Sequence, residues 1–233
     1  MTSSAFDLVV FDFDGTLVDS SGDITASLNH ALKKLDRPMV DPEEVRAMVG
    51  HGGRALLERA LGESGGFTPE LVKQGLRLFL DYYGANIAVH TRPFPGLEPL
   101  LDRLTARDVR LAICTNKMEG LSHQLVKALG WEQRFSAILG ADSRPFRKPD
   151  PRHLTETIAA AGGGRALFVG DSRTDADTAI AAQIPLILVS FGFSTDPVEE
   201  LGANQLIDHY DAFEDAMMAI QAQLSADTAS TSA

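Results

Sequence analysis

The chain has 233 residues, 44% hydrophobic and 23% charged, a balance that supports one large domain, or one domain with a smaller insert, around a real apolar core. Its 32 acidic residues outnumber 21 basic ones, and the net charge of -11 excludes long-range attraction to nucleic acid or to an anionic membrane. One cysteine, Cys114, excludes an internal disulfide framework, no run of about 18 apolar residues occurs, and Met1 to Asp7 lack a basic region leading into an apolar stretch, so the sequence reads as cytoplasmic.

Leu8-Val9-Val10-Phe11 is an apolar, β-rich run that ends in Asp12-Phe13-Asp14-Gly15-Thr16, which predicts a buried strand entering a loop. From about Val18 to Ile87 only helices are expected. Ile24, Leu28, Ala31, Leu32 and Leu35 form one apolar helix face, and Leu56, Leu57, Ala60 and Leu61 a second. Thr68-Pro69 opens a third helix carrying Leu71, Leu78 and Tyr82. The chain returns through Thr91 to Gly96, a stiff, turn-prone segment suited to a hinge.

Beyond it, apolar runs at Val109 to Cys114, Ala137 to Leu139, Ala166 to Val169 and Leu186 to Val189 read as strands covered on both faces. Helices separate them: one through Leu97, Leu100, Leu101 and Leu104, one through Leu121, Leu125 and Leu129 stopped at Gly130, one from Pro151 to Ala161, and one from Thr174 to Ala182. This alternation predicts an α/β fold with a doubly wound parallel sheet and an inserted all-α domain. The expected division is a core of residues 1–17 and 89–233 and a helical insert of residues 18–88, with residues 225–233, small and polar, as a disordered tail.

Four polar signals follow four of the strand runs. Asp12 and Asp14 flank Phe13, and Gly15 lets the backbone turn close to a ligand. Two carboxylates at a strand end indicate a metal site or a nucleophile beside an acid, against the plainer alternative of a solvated Asp-Gly turn. Thr115-Asn116-Lys117 offers a hydroxyl and a helix start, both useful for phosphate. Lys148-Pro149 supplies an ammonium, although taken alone Lys148 reads as a surface lysine. Asp171 and Asp175 lie at the next strand end and helix start, where Asp171 or Ser172 is equally an ordinary helix cap. An acidic protein acting on phosphate needs local positive charge, for which a metal ion is the natural source. Cys114 reads as a buried apolar residue, Trp131 as packing at a helix end, and Phe191 and Phe193 as packing or as lining of the opening between core and insert.

Taken in order, these motifs resemble the haloacid dehalogenase superfamily, in particular its phosphatases with a helical cap, over about Phe6 to Leu224. The resemblance implies that Asp12 is the nucleophile and forms an acyl phosphate, and that Asp14 is the acid for the leaving alkoxide and then the base for water. It implies Mg²⁺ held by Asp12, Asp171 and the Asp14 carbonyl, with Asp175 steadying that shell. Thr115 and the Asn116 amide would hold phosphate oxygens, and Lys148 would neutralise charge. The carboxyl at Asp14 argues for an alcohol leaving group, because family members that cleave carbon–halogen bonds lack it.

Val49-Gly50-His51-Gly52-Gly53-Arg54, Thr115-Asn116-Lys117 and Arg92-Pro93-Phe94-Pro95-Gly96 look like segments of bacterial phosphoglycolate phosphatases, although Met118 stands where proline is common. That likeness implies a small phosphorylated metabolite with a carboxylate as substrate, 2-phosphoglycolate by name. Gly50, His51 and Arg54 are then the candidate specificity residues, with a plain helix–helix turn as the other reading. β-Phosphoglucomutase-like transfer and pyrophosphatase activity remain open. So does a phosphonate hydrolase using Lys33 or Lys34, and so does a non-catalytic phospho-receiver module.

Overall fold

The computed structural model describes residues 6–50 and 52–231. Strand β1 (Leu8–Phe11) opens the chain, and a two-residue strand β2 (Val18–Asp19) follows it. Four helices come next: α1 (Ser21–Lys34), α2 (Pro42–Arg46), α3 (Gly53–Glu63) and α4 (Pro69–Ala85). The chain returns through β3 (Arg92–Pro93) to α5 (Leu97–Thr105), β4 (Arg110–Cys114), α6 (Glu119–Ala128), β5 (Ala137–Leu139), α7 (Pro151–Ala160), β6 (Ala166–Gly170), α8 (Arg173–Ala182), β7 (Leu186–Val189), β8 (Gln205–Ile207) and α9 (Phe213–Thr231).

Among the described residues the main sheet has six strands in the order β5-β4-β1-β6-β7-β8, every pair parallel. Alternation along β1 sends Val9 and Phe11 into one layer and Leu8 and Val10 into the other. The first layer holds Leu100 and Leu104 of α5, Leu125 of α6, and Phe213 and Ile220 of α9. The second holds Leu154 of α7 and Ala176 and Ala179 of α8. The fold is therefore the expected doubly wound α/β core. Trp131 is buried just past α6 and donates from Nε1 to Glu98 (3.1 Å).

Helices α1 to α4 pack on a cluster of their own, an all-α cap inserted after β1. Its outline departs from expectation in three places. Val18–Asp19 is a strand, paired antiparallel with Arg92–Pro93, so the two connections between core and cap are zipped together. Helix α2 was not anticipated, although Asp41-Pro42 begins it in the ordinary way, the Asp41 side chain accepting from the Glu43 amide (2.9 Å). In α4 the stripe that turns fully inward is Val72, Gly75, Phe79 and Tyr83, while Leu71, Leu78 and Tyr82 lie one position round and stay half-buried. Both stripes have helical spacing, and the flanking helices decide between them. Gly75 lets α4 press on Leu57 and Leu35, which a Cβ would meet at 2.8 and 3.0 Å.

Asp23 of α1 ties the return segment down. Its carboxylate accepts from the His90 and Thr91 amides and from the Thr91 hydroxyl at 2.7–3.0 Å. At the other end of the chain, α9 is helical as far as Thr231, through most of the stretch for which the sequence predicts disorder. That stretch contains neither glycine nor proline to stop a helix already anchored by Phe213, Met217 and Ile220.

Candidate active site

Asp12 sits one residue past β1, where its amide donates to Val169 O (2.8 Å) and carries the ladder one step further. Its Oδ1 accepts from the Phe13 amide (2.7 Å) and lies 2.9 Å from Lys148 Nζ. No hydrogen bond among the described residues reaches Oδ2. One oxygen is thus pinned and the other free. Burial pushes the Asp12 carboxyl up to about 6, with the Lys148 charge opposing the rise and the Asp175 charge adding to it.

Asp171 follows β6. Thr16 Oγ1 donates to its Oδ1 (3.0 Å) and the Phe193 amide to its Oδ2 (2.7 Å). Burial, then the charges of Asp175 and Asp12, hold this carboxyl well above the usual range. Gly15 makes room for it: φ is +85°, and a Cβ there would stand 2.4 Å from Asp171 Oδ2. Ser172 caps α8 in a capping box with Asp175. The Asp175 Oδ2 accepts from the Asp171 amide, the Ser172 amide and the Ser172 hydroxyl (2.6–3.2 Å), and its Oδ1 from Lys148 Nζ (2.6 Å). Ser172 is therefore the helix cap, with Asp175 as its partner, and the Asp171 side chain takes no part in the capping box.

Carboxylate oxygens of Asp12, Asp171 and Asp175 lie within 4.8 Å of one another, all buried. Lys148, buried between Asp12 and Asp175, is the ammonium set against these three charges, and its own pKa is raised because the two aspartates outweigh its burial. The surplus negative charge and the all-oxygen donor set fit a hard divalent cation.

Across the site, Asp14 accepts from Ser20 Oγ (2.6 Å) and from Lys117 Nζ at 3.0 Å on each carboxylate oxygen. Lys117 also donates to the hydroxyl of Tyr83, a cap residue. Burial works against the Lys117 charge, but the Asp14 carboxylate more than compensates, and the lysine's pKa is raised. The Tyr83 hydroxyl is pushed up to about 12 by burial, Lys117 opposing. Thr115 is buried, and its Oγ1 accepts from the Lys117 amide (3.2 Å), which leaves its hydroxyl proton to donate elsewhere. Asn116 Nδ2 ties the site together, donating to Lys148 O (3.1 Å) and to the cap at Gly50 O (3.4 Å). Cys114, behind Thr115, is inert: burial pushes its thiol up to about 12.

A cavity of about 520 Å³ opens between core and cap. Asp12, Asp14, Thr115, Asn116 and Lys117 form its floor, and Met48, Gly50, Arg54, Phe79, Leu80 and Tyr83 its roof. Arg54 therefore reaches the cavity wall, but its Nε is paired with Glu58 (2.8 Å) and its side chain is 65% exposed. His51 lies outside the described residues. Arg147, on the core side, lines the cavity and makes no ion pair among the described residues. Lys33 and Lys34 are exposed at the end of α1, which gives neither a place at the reacting centre.

Asp12, Asp14, Thr115, Asn116, Lys148, Asp171 and Asp175 converge as the strand ends suggested. Sequence reasoning assigned no role to Lys117, Tyr83, Ser20 or Arg147. Lys117 carried a signal, being the third residue of the Thr115-Asn116-Lys117 motif. Tyr83 carried one only in the competing stripe of α4.

Comparisons with known proteins show what the chain as a whole is similar to. Residues 9–189 match the family model described as haloacid dehalogenase-like hydrolase. A phosphoglycolate phosphatase of Mesorhizobium japonicum is 47% identical, the match covering 88% of this chain and 92% of that one. One of Caulobacter vibrioides is 42% identical, covering 87% and 86%. Among solved structures, a protein of Haemophilus somnus described as a predicted phosphoglycolate phosphatase superposes with a TM-score of 0.86 at 29% identity, over 91% of this chain and 98% of that chain.

Proposed function

The chain belongs to the haloacid dehalogenase-like hydrolase family and is a phosphoric monoester hydrolase, and from that premise we propose that it hydrolyses 2-phosphoglycolate with Mg²⁺ through a phospho-aspartate on Asp12. The observation that carries the mechanism is the unequal treatment of the two Asp12 oxygens, Oδ1 held by Phe13 and Lys148 and Oδ2 free to attack.

In this reading Asp12 Oδ2 attacks phosphorus, and the bond to the leaving alkoxide breaks. Asp14, lining the same cavity two residues on, enters this step in its protonated form, gives that proton to the alkoxide, and as the carboxylate then takes one from the water that releases phosphate from Asp12. Lys148 offsets charge between Asp12 and the phosphoryl group. Thr115 donates its hydroxyl to a phosphoryl oxygen, beside the Asn116 amide. Asp12, Asp171 and the Asp14 carbonyl would hold Mg²⁺, which would supply the positive charge that lets a carboxylate approach a phosphate dianion. Asp175, with four bonds already accepted, orients Lys148 and the Asp171 backbone.

Support for 2-phosphoglycolate comes from the names of the relatives and from the arginines that line the cavity, Arg147 without an ion pair among the described residues and Arg54 with its Nε on Glu58. The cap, of residues 18–88, excludes water from the reaction when seated. The test is phosphate release from 2-phosphoglycolate, sugar phosphates, nucleotides and pyrophosphate, with Mg²⁺ and with chelator. Mg²⁺-dependent release dominated by 2-phosphoglycolate is expected. Preference for another ester would discard the substrate, and undiminished release in chelator would discard the metal.

A further inference from the structure

Arg46, on the short helix α2 of the cap, leaves its own domain. Its Nη1 donates to Asp19 Oδ2 (2.8 Å) on β2. Its Nη2 is shared between the carbonyls of Phe191 (3.2 Å) and Gly192 (3.4 Å) in the core loop after β7. The guanidinium also lies over the Phe193 ring, 4.7 Å from its centroid. A planar fork with several donors and a stacking face can satisfy all of these contacts together, and an ammonium cannot.

What this loop holds on its other side gives the contact its meaning. The Gly192 carbonyl and the Phe193 amide belong to one peptide unit. In a trans peptide the two groups point in opposite directions. The carbonyl faces Arg46, and the N–H faces Asp171 Oδ2 at 2.7 Å. Rotation of that single plane breaks both bonds at once. Gly192 lacks the side chain that would otherwise resist such rotation, and nothing else could stand there, since a Cβ would lie 2.2 Å from Asp171 Cβ. Among the described residues neither carbonyl has another partner.

We propose that Arg46 is a positioning residue which, with the cap seated on the core, fixes the Gly192–Phe193 peptide and through it the Asp171 carboxylate for the divalent cation. The inference rests on the proposed metal-dependent reaction. It adds that a cap side chain, remote from the reacting atoms, completes the cation site in the core.

The test compares the wild-type enzyme with Arg46→Ala and Arg46→Lys. Mn²⁺ binding without substrate is measured by titration calorimetry, and kcat and KM on 2-phosphoglycolate at rising Mg²⁺. Both variants should stay folded by circular dichroism, since the Arg46 side chain is partly exposed. Each should bind Mn²⁺ about tenfold more weakly, the lower end of what indirect supports of metal ligands contribute. Saturating Mg²⁺ should return most of kcat. Wild-type Mn²⁺ affinity in both variants, even with a raised KM, would reduce Arg46 to a cap contact and overturn the proposal. A loss of kcat that no Mg²⁺ concentration restores would do the same. Should the wild-type enzyme itself neither bind Mn²⁺ nor release phosphate, the underlying reaction falls, and this inference with it.

Discussion

Lys117 places its ammonium 3.0 Å from each carboxylate oxygen of Asp14, the lysine buried and the aspartate partly so. The pair sits on the floor of the cavity, and Tyr83 of the cap closes over it. Removing one charge of such a pair leaves the other without compensation. Lys117→Met should therefore lower stability by about 2–4 kcal/mol, and Asp14→Asn in the same chain should recover part of that. A double-mutant cycle by urea unfolding checks this. Additive effects would show that the two groups do not depend on each other.

Asp14→Asn alone leaves the Lys117 ammonium without its carboxylate and should also cost stability, but the variant should still fold and lacks the proton donor and acceptor. Phosphate release should fall about 10²–10⁴-fold in kcat with KM little altered. Steady-state kinetics on 2-phosphoglycolate decide the point. A variant that retains wild-type kcat would remove Asp14 from proton transfer.

Much of this site could be read from the chain. The strand ends at Phe11, Cys114 and Gly170 and the loop after β5 carry the polar residues that converge, because a parallel sheet delivers all its carboxyl ends to one edge. What escaped notice was set by packing between elements. Gln205–Ile207 is only three residues long and becomes a strand by pairing with β7. Tyr83 and Tyr82 compete for the inner face of α4, and α1 and α3 choose between them. Arg46 reads as one more surface arginine until the Phe191 and Gly192 carbonyls are placed opposite it.

Metal and proton should compete at the carboxylate cluster. Without metal, burial pushes the Asp12 carboxyl up to about 6 from its ordinary 3.8. The folded state then binds the proton more tightly than the unfolded state. The stabilisation from this group is complete below about pH 4 and is lost as pH rises through about 6. Asp171 is shifted in the same direction. A divalent cation takes over the proton's role, so the rise in Tm caused by Mg²⁺ should be larger at pH 7 than at pH 5. Differential scanning fluorimetry measures it, and an equal or larger rise at pH 5 would contradict the assignment.

Gly192→Ala introduces a methyl group where Asp171 Cβ already stands 2.2 Å away. Either the loop or Asp171 must move. Divalent-cation affinity and kcat should fall together, each by about tenfold or more, while the thermal transition of the metal-free protein shifts by only a few degrees. Full activity at ordinary Mg²⁺ would mean that Asp171 does not need its present position.

The central claim is that Asp12 carries the phosphoryl group, and acid-quenched labelling tests it most directly. Enzyme is mixed with ³²P-labelled 2-phosphoglycolate and Mg²⁺, stopped in acid within one turnover and digested, and the labelled peptide is sequenced. The expected label is on the peptide containing Asp12, released by hydroxylamine and missing from a folded Asp12→Asn variant. Complete turnover without protein-bound label, label on another residue, or phosphate release by Asp12→Asn would contradict it.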